Sequence, residues 1–310
     1  MVANLSELGN HTTIQEYFCP ARLEPRHKII ILSLNIPLSI TAIFGNVFMF
    51  AALKKVKLLR PASKLLLGCL ATTDLGVGVI THPILYSYLM SPEHSKLCNY
   101  SKIFLQTMGS ILAGVSLYTV TAISVDRLLA LLLGLRYKRV ITLRKVCFFL
   151  VTFWLISTAV AIVRFYNLSI AMAIGSIQRV LNIAASTFCY MKIFVTLRHH
   201  QTKVLQDNAQ REQPDGGGIS PQKITRYRKT VSTALWIFIA LLACYLPFDI
   251  VTPIVAITGL DKPALNLAWF VTLTMLLLNS SLNPFLYFWK MKEVRTALKD
   301  TIRQFCCFSN

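Results

Sequence analysis

The stretch Val146–Phe165 reads VCFFLVTFWLISTAVAIVRF and carries no charge before Arg164. A helix rises about 1.5 Å per residue, so this run covers the roughly 30 Å hydrocarbon core of a bilayer. Working outward from it, six further apolar runs of similar or greater length appear: Ile29–Leu53, Leu65–Met90, Ile103–Leu133, Ser169–Leu197, Val231–Ile257 and Leu265–Trp289. The predicted fold class is an all-α membrane protein, a seven-transmembrane helix bundle followed by a short amphipathic C-terminal helix. Composition agrees. The 310 residues are 55% hydrophobic and 15% charged, with a mean hydropathy of +0.56. Soluble domains carry about 25% charged residues. The net charge of +19 would suit a nucleic-acid binder, but such proteins do not contain repeated uninterrupted apolar spans. The expected partner of this surface is the lipid bilayer, with no nucleic acid.

Seven spans put the termini on opposite sides, and the basic residues decide which is which. Most of the 32 lysines and arginines fall after spans one, three and five and in the tail. Lys54, Lys55, Lys57 and Arg60 follow the first span, Arg136, Lys138 and Arg139 the third, and Arg226, Arg228 and Lys229 precede the sixth. The positive-inside rule then places the N-terminus outside and the C-terminus in the cytoplasm. The division expected is an extracellular segment over 1–28, a membrane domain over 29–289 and a cytoplasmic helix and tail over 290–310. Acceptor tripeptides for N-glycosylation at Asn4, Asn10, Asn99 and Asn167 all lie on the outer side. Asn279 also matches but sits within span seven. The start of the chain lacks a basic segment and an apolar core, so no cleaved signal peptide is expected and span one acts as the anchor. Gln201–Thr225, polar and containing Asp215-Gly216-Gly217-Gly218, is expected to be a flexible cytoplasmic loop.

A charged group in mid-bilayer costs at least ~2.5–3.5 kcal/mol. Polar residues within the spans are therefore candidates for function. Asn46, Asp74, Ser116, Asn279, Ser280 and Asn283 fall in spans one, two, three and seven, near the middle or inner half of each. A lone Asn or Ser commonly glues helices together. Several oxygens around one aspartate suit a small hard cation such as Na⁺, or a proton.

The residues also fall into an order. Gly45-Asn46-Val47 is in span one, Leu70-Ala71-Thr72-Thr73-Asp74 in span two and Asp126-Arg127 at the inner end of span three. Trp154 follows in span four, Tyr190 in span five and Cys244-Tyr245-Leu246-Pro247 in span six. Span seven carries Asn279-Ser280-Ser281-Leu282-Asn283-Pro284-Phe285-Leu286-Tyr287. This series resembles the rhodopsin-like (class A) G-protein-coupled receptors over nearly the whole chain. The resemblance implies binding of an extracellular ligand, its identity open, at the plasma membrane. Binding then promotes GDP release from a heterotrimeric G protein, and the chain is not itself an enzyme. It implies an activation switch of Asp126, Arg127, Tyr190, Tyr245, Pro247, Asn283, Pro284 and Tyr287, with Asp126 holding Arg127 at rest. It implies a sodium pocket of Asn46, Asp74, Ser116, Asn279, Ser280 and Asn283, with Asp74 the metal-binding carboxylate and Na⁺ an allosteric ion, no other cofactor being expected. Relatives often carry an acid at the base of span six. Here Arg226-Tyr227-Arg228-Lys229 stands there, which predicts ligand-free activity. Along Lys290–Phe305, Val294, Leu298, Ile302 and Phe305 share one face, as in a helix lying on an anionic leaflet. Cys306-Cys307 beyond it resembles a palmitoylation site.

The chain departs from the pattern in several places. The usual cysteine at the top of span three reads Lys102, and the connection between spans four and five is a few residues without cysteine. Cys19 and Cys98 are the two cysteines expected outside, and they are predicted to pair. Cys69, Cys147, Cys189 and Cys244 are expected to be reduced core residues. Asn182 stands at the mid-helix proline of span five, and Tyr245 at the common tryptophan of span six. These departures resemble the melanocortin, cannabinoid, lysophospholipid and adenosine-type branch. The melanocortin calcium-binding acids, however, would fall at Ile84, Lys102 and Gln106. Gly109 stands where amine receptors carry an aspartate, and Leu277 where retinal attaches, so neither ligand is expected. His82, Gln106, Gly109, Gln178, Arg179 and Asp249 are the candidate ligand-pocket residues. Arg179 and Asp249 either pair with each other or meet opposite charges on a ligand.

Two other readings stand beside the receptor. A seven-span ion or proton transporter would use Asp74, Arg127, Arg179 and Asp249 as a relay, although no internal repeat supports it. A non-signalling membrane receptor or scaffold is compatible with Tyr245.

Overall fold

The computed structural model describes residues 23–56, 59–92, 95–210, 221–258, 262–290 and 295–296, with side chains between 203 and 238 largely outside the description. Every regular element among these residues is helical. Helix α1 covers Pro25–Lys55. Helix α2, Pro61–Gly76, runs through a π turn at Val77–Thr81 into α3, His82–Met90. Helix α4 covers Lys96–Leu133, and the short α5 covers Tyr137–Val140. Then come α6, Leu143–Tyr166, α7, Leu168–Gln210, α8, Pro221–Thr258, and α9, Pro263–Lys290. With α2 and α3 as one span, seven spans result.

Each helix extends beyond the apolar run that announces it. Proline opens α1, α2, α8 and α9, where its missing N–H is not needed and its fixed φ suits the first turn. Ser95 caps α4 by accepting from Cys98 N at 3.1 Å. The expected loop Gln201–Thr225 is corrected at both ends, since α7 continues to Gln210 and α8 already begins at Pro221. Hydropathy ends where lipid contact ends, whereas a solvated helix continues as long as its residues are good helix formers. The short connection between α6 and α7 is a single residue, Asn167, whose Oδ1 accepts from Ile170 N at 3.0 Å.

Among the described residues, five spans are long and apolar enough to cross a membrane, and α8 has a shorter apolar stretch at Ile239–Val255. The outer face of the bundle is apolar: Phe148 is 69% exposed and Leu155 65%. A soluble surface does not leave such a belt open, and lipid covers it here. Cys147 stands in this belt. It is free but exposed, which corrects its assignment to the core, because α6 turns that face outward. Cys69 is half-buried, Cys189 and Cys244 are buried, and all three are free.

Helix α4 lies at the centre, packed on α2, α3, α6 and α7, while α9 packs on α8 and α1. Two apolar cores result. One, toward the basic end, includes Met49, Leu70, Leu117, Leu241 and Tyr245. The other, toward the N-terminal end, includes Leu85, Leu89, Leu105, Phe270 and Leu277. Cys98 is buried in the second and disulfide-bonded. Its expected partner Cys19 lies outside the described residues.

Two prolines shape this packing. Pro83 offers no N–H, and the backbone N–H of His82 reaches back to Val77 O. The carbonyl of Gly78 is thereby left without a helical donor, and Ser39 Oγ of α1 donates to it at 2.9 Å. Pro284 likewise frees the carbonyl of Ser280, which accepts from Asn46 Nδ2 at 3.2 Å. For α1 to come that near, the Pro284 ring must lie over a residue without Cβ. A Cβ on Gly45 would stand 2.9 Å from Pro284 Cβ and Cγ. Gly45-Asn46 and Pro284 are thus one interlocking contact.

Candidate functional site

Between the two cores lies a layer of buried polar side chains. Asp74 is fully buried, and Asn46, Ser116, Asn279, Ser280 and Asn283 are 2–4% exposed. The layer joins spans that are distant in sequence. Asn283 Nδ2 of α9 donates to Asp74 Oδ2 of α2 at 2.8 Å, and Asn46 Nδ2 of α1 donates to Ala42 O at 2.8 Å as well as to Ser280 O. Two oxygens of the layer, Asp74 Oδ1 and Ser116 Oγ, make no hydrogen bond among the described residues, although Ser280 stands near Asp74 and Tyr245 near Ser116. A buried carboxylate oxygen and a buried hydroxyl without partners fit a hard monovalent cation, which prefers oxygen ligands.

At the basic end, Asp126 bonds to Ser63 and Tyr137 and not to Arg127, the contact expected of the resting state. Ser63 Oγ donates to Asp126 Oδ2 at 2.9 Å, and the Tyr137 hydroxyl donates to Oδ1. No ion pair joins Asp126 to Arg127 among the described residues. The reason lies in the chain that follows α4. Gly134, at φ 50°, ends the helix in the left-handed region. The chain then turns back into α5, whose first residue, Tyr137, is 2% exposed and reaches Asp126. Arg60 caps the outside of the Tyr137 ring, its Cζ 4.1 Å from the centroid. Burial first, and then the Asp126 acceptor and its charge, hold the Tyr137 phenol above the ordinary tyrosine range, so it stays a donor at neutral pH. Sequence reading missed Ser63 and Tyr137. The available signal was a lone aromatic, eleven residues after Asp126, in a basic connection.

Near Arg127, the Tyr190 and Ser124 hydroxyls hydrogen-bond at 2.9 Å, both buried. The side chain of Tyr287, the expected partner of Tyr190, lies outside the described residues. So do Asn4, Asn10, Cys306 and Cys307, and nearly all of the amphipathic segment after Lys290. Asn99 is half-buried in the first turn of α4, and Asn167 is exposed.

Tyr245 is buried one turn of α8 toward the basic end from Asp249, its hydroxyl 3.4 Å from the Ala113 carbonyl of α4, to which it donates. In the N-terminal half, the alternatives for Arg179 and Asp249 resolve into a pair. Arg179 Nε donates to Asp249 Oδ1, and Arg179 Nη2 donates to Ser176 Oγ at 3.1 Å. Asp249 lies two residues beyond Pro247, so the pair ties α7 to α8 just past the proline's kink, toward the N-terminal end of the bundle. The other pocket candidates are spread around the bundle. Gln178 reaches Gly114 of α4. His82 is buried with both ring nitrogens unpartnered. Gly109 faces Thr81, Gln106 is half-buried, and the Gln106 carbonyl accepts from Ser110.

The four charges of a transporter relay are not joined into one chain among the described residues. Asp74 bonds to Asn283, Arg179 bonds to Asp249, and no hydrogen bond links the two sites among the described residues. The family described as "7 transmembrane receptor (rhodopsin family)" matches residues 45–172 and 163–287. The chain is 23% identical to melatonin receptor type 1C of Gallus gallus over 273 residues, 79% of this chain and 73% of the relative. Adenosine receptor A3 of Ovis aries is 23% identical over 293 residues, 86% of this chain and 88% of that one. G-protein coupled receptor 6 of Homo sapiens is 27% identical over 271 residues, 83% and 71% respectively. With the match spanning the polar layer, Asp126-Arg127 and Pro284, the chain belongs to the rhodopsin family of seven-transmembrane receptors and is a G-protein-coupled receptor.

Proposed function

We propose that this receptor lies in the plasma membrane with its N-terminus outside. An extracellular ligand bound in the outer half shifts it to a state that promotes GDP release from a heterotrimeric G protein. The receptor makes and breaks no covalent bond. The observation that carries this reading is the engagement of Asp126 by Ser63 and Tyr137, which leaves Arg127 without an acid partner among the described residues. A guanidinium carries five donors in a planar fork, and in this position it is available to the carbonyls of a partner helix.

Two sets of contacts then compete, and a ligand acts by its differential affinity for them. In the resting set, Asp126 turns from Tyr137 to Arg127, and Asp74 and Ser116 would hold a sodium ion whose charge offsets the buried carboxylate. In the signalling set, Asp126 stays with Ser63 and Tyr137, Arg127 meets the G protein, and the inner end of α8 moves about Pro247. Tyr245 couples the motion to α4 through Ala113, and Tyr190 and Tyr287 steady the inner ends of α7 and α9. Asn283 and Pro284 give α9 its inward turn. Without an acid at Arg226–Lys229, the resting set has one restraint fewer, and basal activity follows.

Outside the bundle, Asn4, Asn10, Asn99 and Asn167 are the glycosylation candidates and Cys19–Cys98 the extracellular bridge. Cys306 and Cys307 carry palmitate beside an amphipathic helix. The test is GTPγS loading of purified heterotrimers by receptor in nanodiscs. Basal loading is expected, and Arg127→Ala abolishes it. Equal loading by wild type and Arg127→Ala, with both proteins monodisperse, refutes the proposal.

A further inference from the structure

The charges in the outer half of the bundle do not balance. Arg179 of α7 has one carboxylate, Asp249 of α8. Arg164, in the last turn of α6, is close enough to Arg179 to repel it and has no ion-pair partner among the described residues. Two guanidinium groups therefore share one acid in a medium where unpaired charge is costly.

The ion pair is also incompletely used. Arg179 meets Asp249 through Nε alone, and the Asp249 side chain is 10% exposed with Oδ2 unpartnered. Nε goes to Asp249 and Nη2 to Ser176, so among the described residues Nη1 is the part of the fork left for an oxygen of a further carboxylate or phosphate. Nη1 lies over Gly175, one turn earlier on α7, where a Cβ would stand 3.3 Å from it. Beside the guanidinium is an apolar wall. The Phe248 ring is 5.8 Å from Arg179 Cζ, and Trp269 lies 6.5 Å from Phe248.

We propose that Arg179 is the recognition residue for an anionic group, a carboxylate or phosphate monoester, carried on an apolar body that rests against Phe248 and Trp269. Asp249 is the resident counter-ion that this group displaces. This rests on the receptor reading and names the ligand class of its outer site. Displacement frees α8 from α7 just outside Pro247, which is how binding reaches the inner end.

The test uses the full chain in phosphatidylcholine nanodiscs. The thermal midpoint is followed against inorganic phosphate, oleate, oleoyl lysophosphatidate and, as the cationic control, dodecyltrimethylammonium. The anionic amphiphiles are expected to raise the midpoint and the cationic one to leave it unmoved. Asp249→Asn removes the competing acid and lowers the anion concentration needed by about tenfold or more. Arg179→Gln abolishes the shift, and Asp249→Asn/Arg179→Gln, neutral at both positions, controls for folding. If inorganic phosphate matches lysophosphatidate, a free anion suffices; if it acts only at far higher concentration, the ligand is an amphiphile. Either outcome supports the site. A larger shift with the cation, a weaker anion response in Asp249→Asn, or no response in that variant overturns the proposal. GTPγS loading is recorded alongside. Its absence overturns the receptor mechanism while leaving the anion shift readable, and intact loading without the shift overturns this inference alone.

Discussion

Tyr137→Phe is the sharpest perturbation of the switch proposed at the basic end. The substitution removes one hydroxyl and keeps the ring, so the Arg60 stack at 4.1 Å survives. Asp126 keeps Ser63 at 2.9 Å and is not orphaned. What is lost is one hydrogen bond to a carboxylate, worth about 1.5–3 kcal/mol. Asp126 is then free to turn to Arg127, its neighbour in the chain. At 1.4 kcal/mol per decade, the ratio of Arg127-free to Arg127-paired receptor falls by roughly ten- to hundredfold. Basal GTPγS loading in nanodiscs is expected to fall with it, and agonist-driven loading to fall less. Adding Asp126→Asn, which removes the competing acid, restores basal loading, so the two substitutions are strongly non-additive. The effect has a definite pH window. The raised Tyr137 phenol favours its protonated form. Its contribution is therefore complete below the ordinary tyrosine value of about 10 and is lost only as pH rises through the still higher folded value. The wild-type-to-variant ratio is accordingly flat from about pH 6 to 8. Basal loading that is unchanged or higher in Tyr137→Phe, with normal expression, refutes the assignment of the Tyr137 contact to the signalling set.

Three further outcomes follow from the same contacts. Gly45→Val places a Cβ 2.9 Å from Pro284 and forces α1 from α9, costing about 1–3 kcal/mol as overpacking, read as a lowered thermal midpoint. Asn46→Leu leaves the Ser280 carbonyl without the donor now 3.2 Å away and costs about 1–3 kcal/mol in the same assay. Asp74→Asn removes the carboxylate that a sodium ion would neutralise, so basal loading in sodium chloride and in choline chloride becomes equal, whereas wild type is lower in sodium.

The seven spans and the polar layer were legible for one reason. In lipid, the backbone must satisfy itself and each buried polar atom carries a cost, so both leave a mark in composition. Asp74, Asn46 and Asn283 stood out as polar residues in apolar runs, and the structure joins them through side-chain and backbone contacts. The π turn at Val77–Thr81 left no such mark, because adding a residue to one turn does not change which residues are apolar. Its clue was Pro83, whose missing N–H strands a carbonyl that only a neighbouring helix can serve. Tyr137 was illegible for the opposite reason. It lies in a connection, where hydropathy carries no pattern, and its partner is set by the turn at Gly134. The pairing of Arg179 with Asp249 was undecided because helical spacing fixes the face each residue occupies, not whether two faces meet.

Both charged devices proposed for this bundle are carboxylates that change partner. Asp126 chooses between Tyr137 with Ser63 and the adjacent Arg127, while Asp249 chooses between Arg179 and release. They stand on either side of Pro247, where α8 has lost a backbone hydrogen bond and bends most readily. Between them lies Asp74, with one oxygen on Asn283 and the other open. An event at Arg179 therefore need not travel through a chain of hydrogen bonds to reach Arg127. It only has to change the angle of α8, because the two helices beside it, α7 and α9, carry Tyr190 and Asn283. Coupling of this kind is carried by a rigid element with two arrangements. It requires that fixing α7 to α8 at the outer pair suppress signalling at the inner end. A cysteine pair replacing Arg179 and Asp249 and oxidised to a disulfide should lower basal loading, and reduction should restore it. Equal loading in the two redox states, with the crosslink verified, would show that the outer pair and the inner switch move independently.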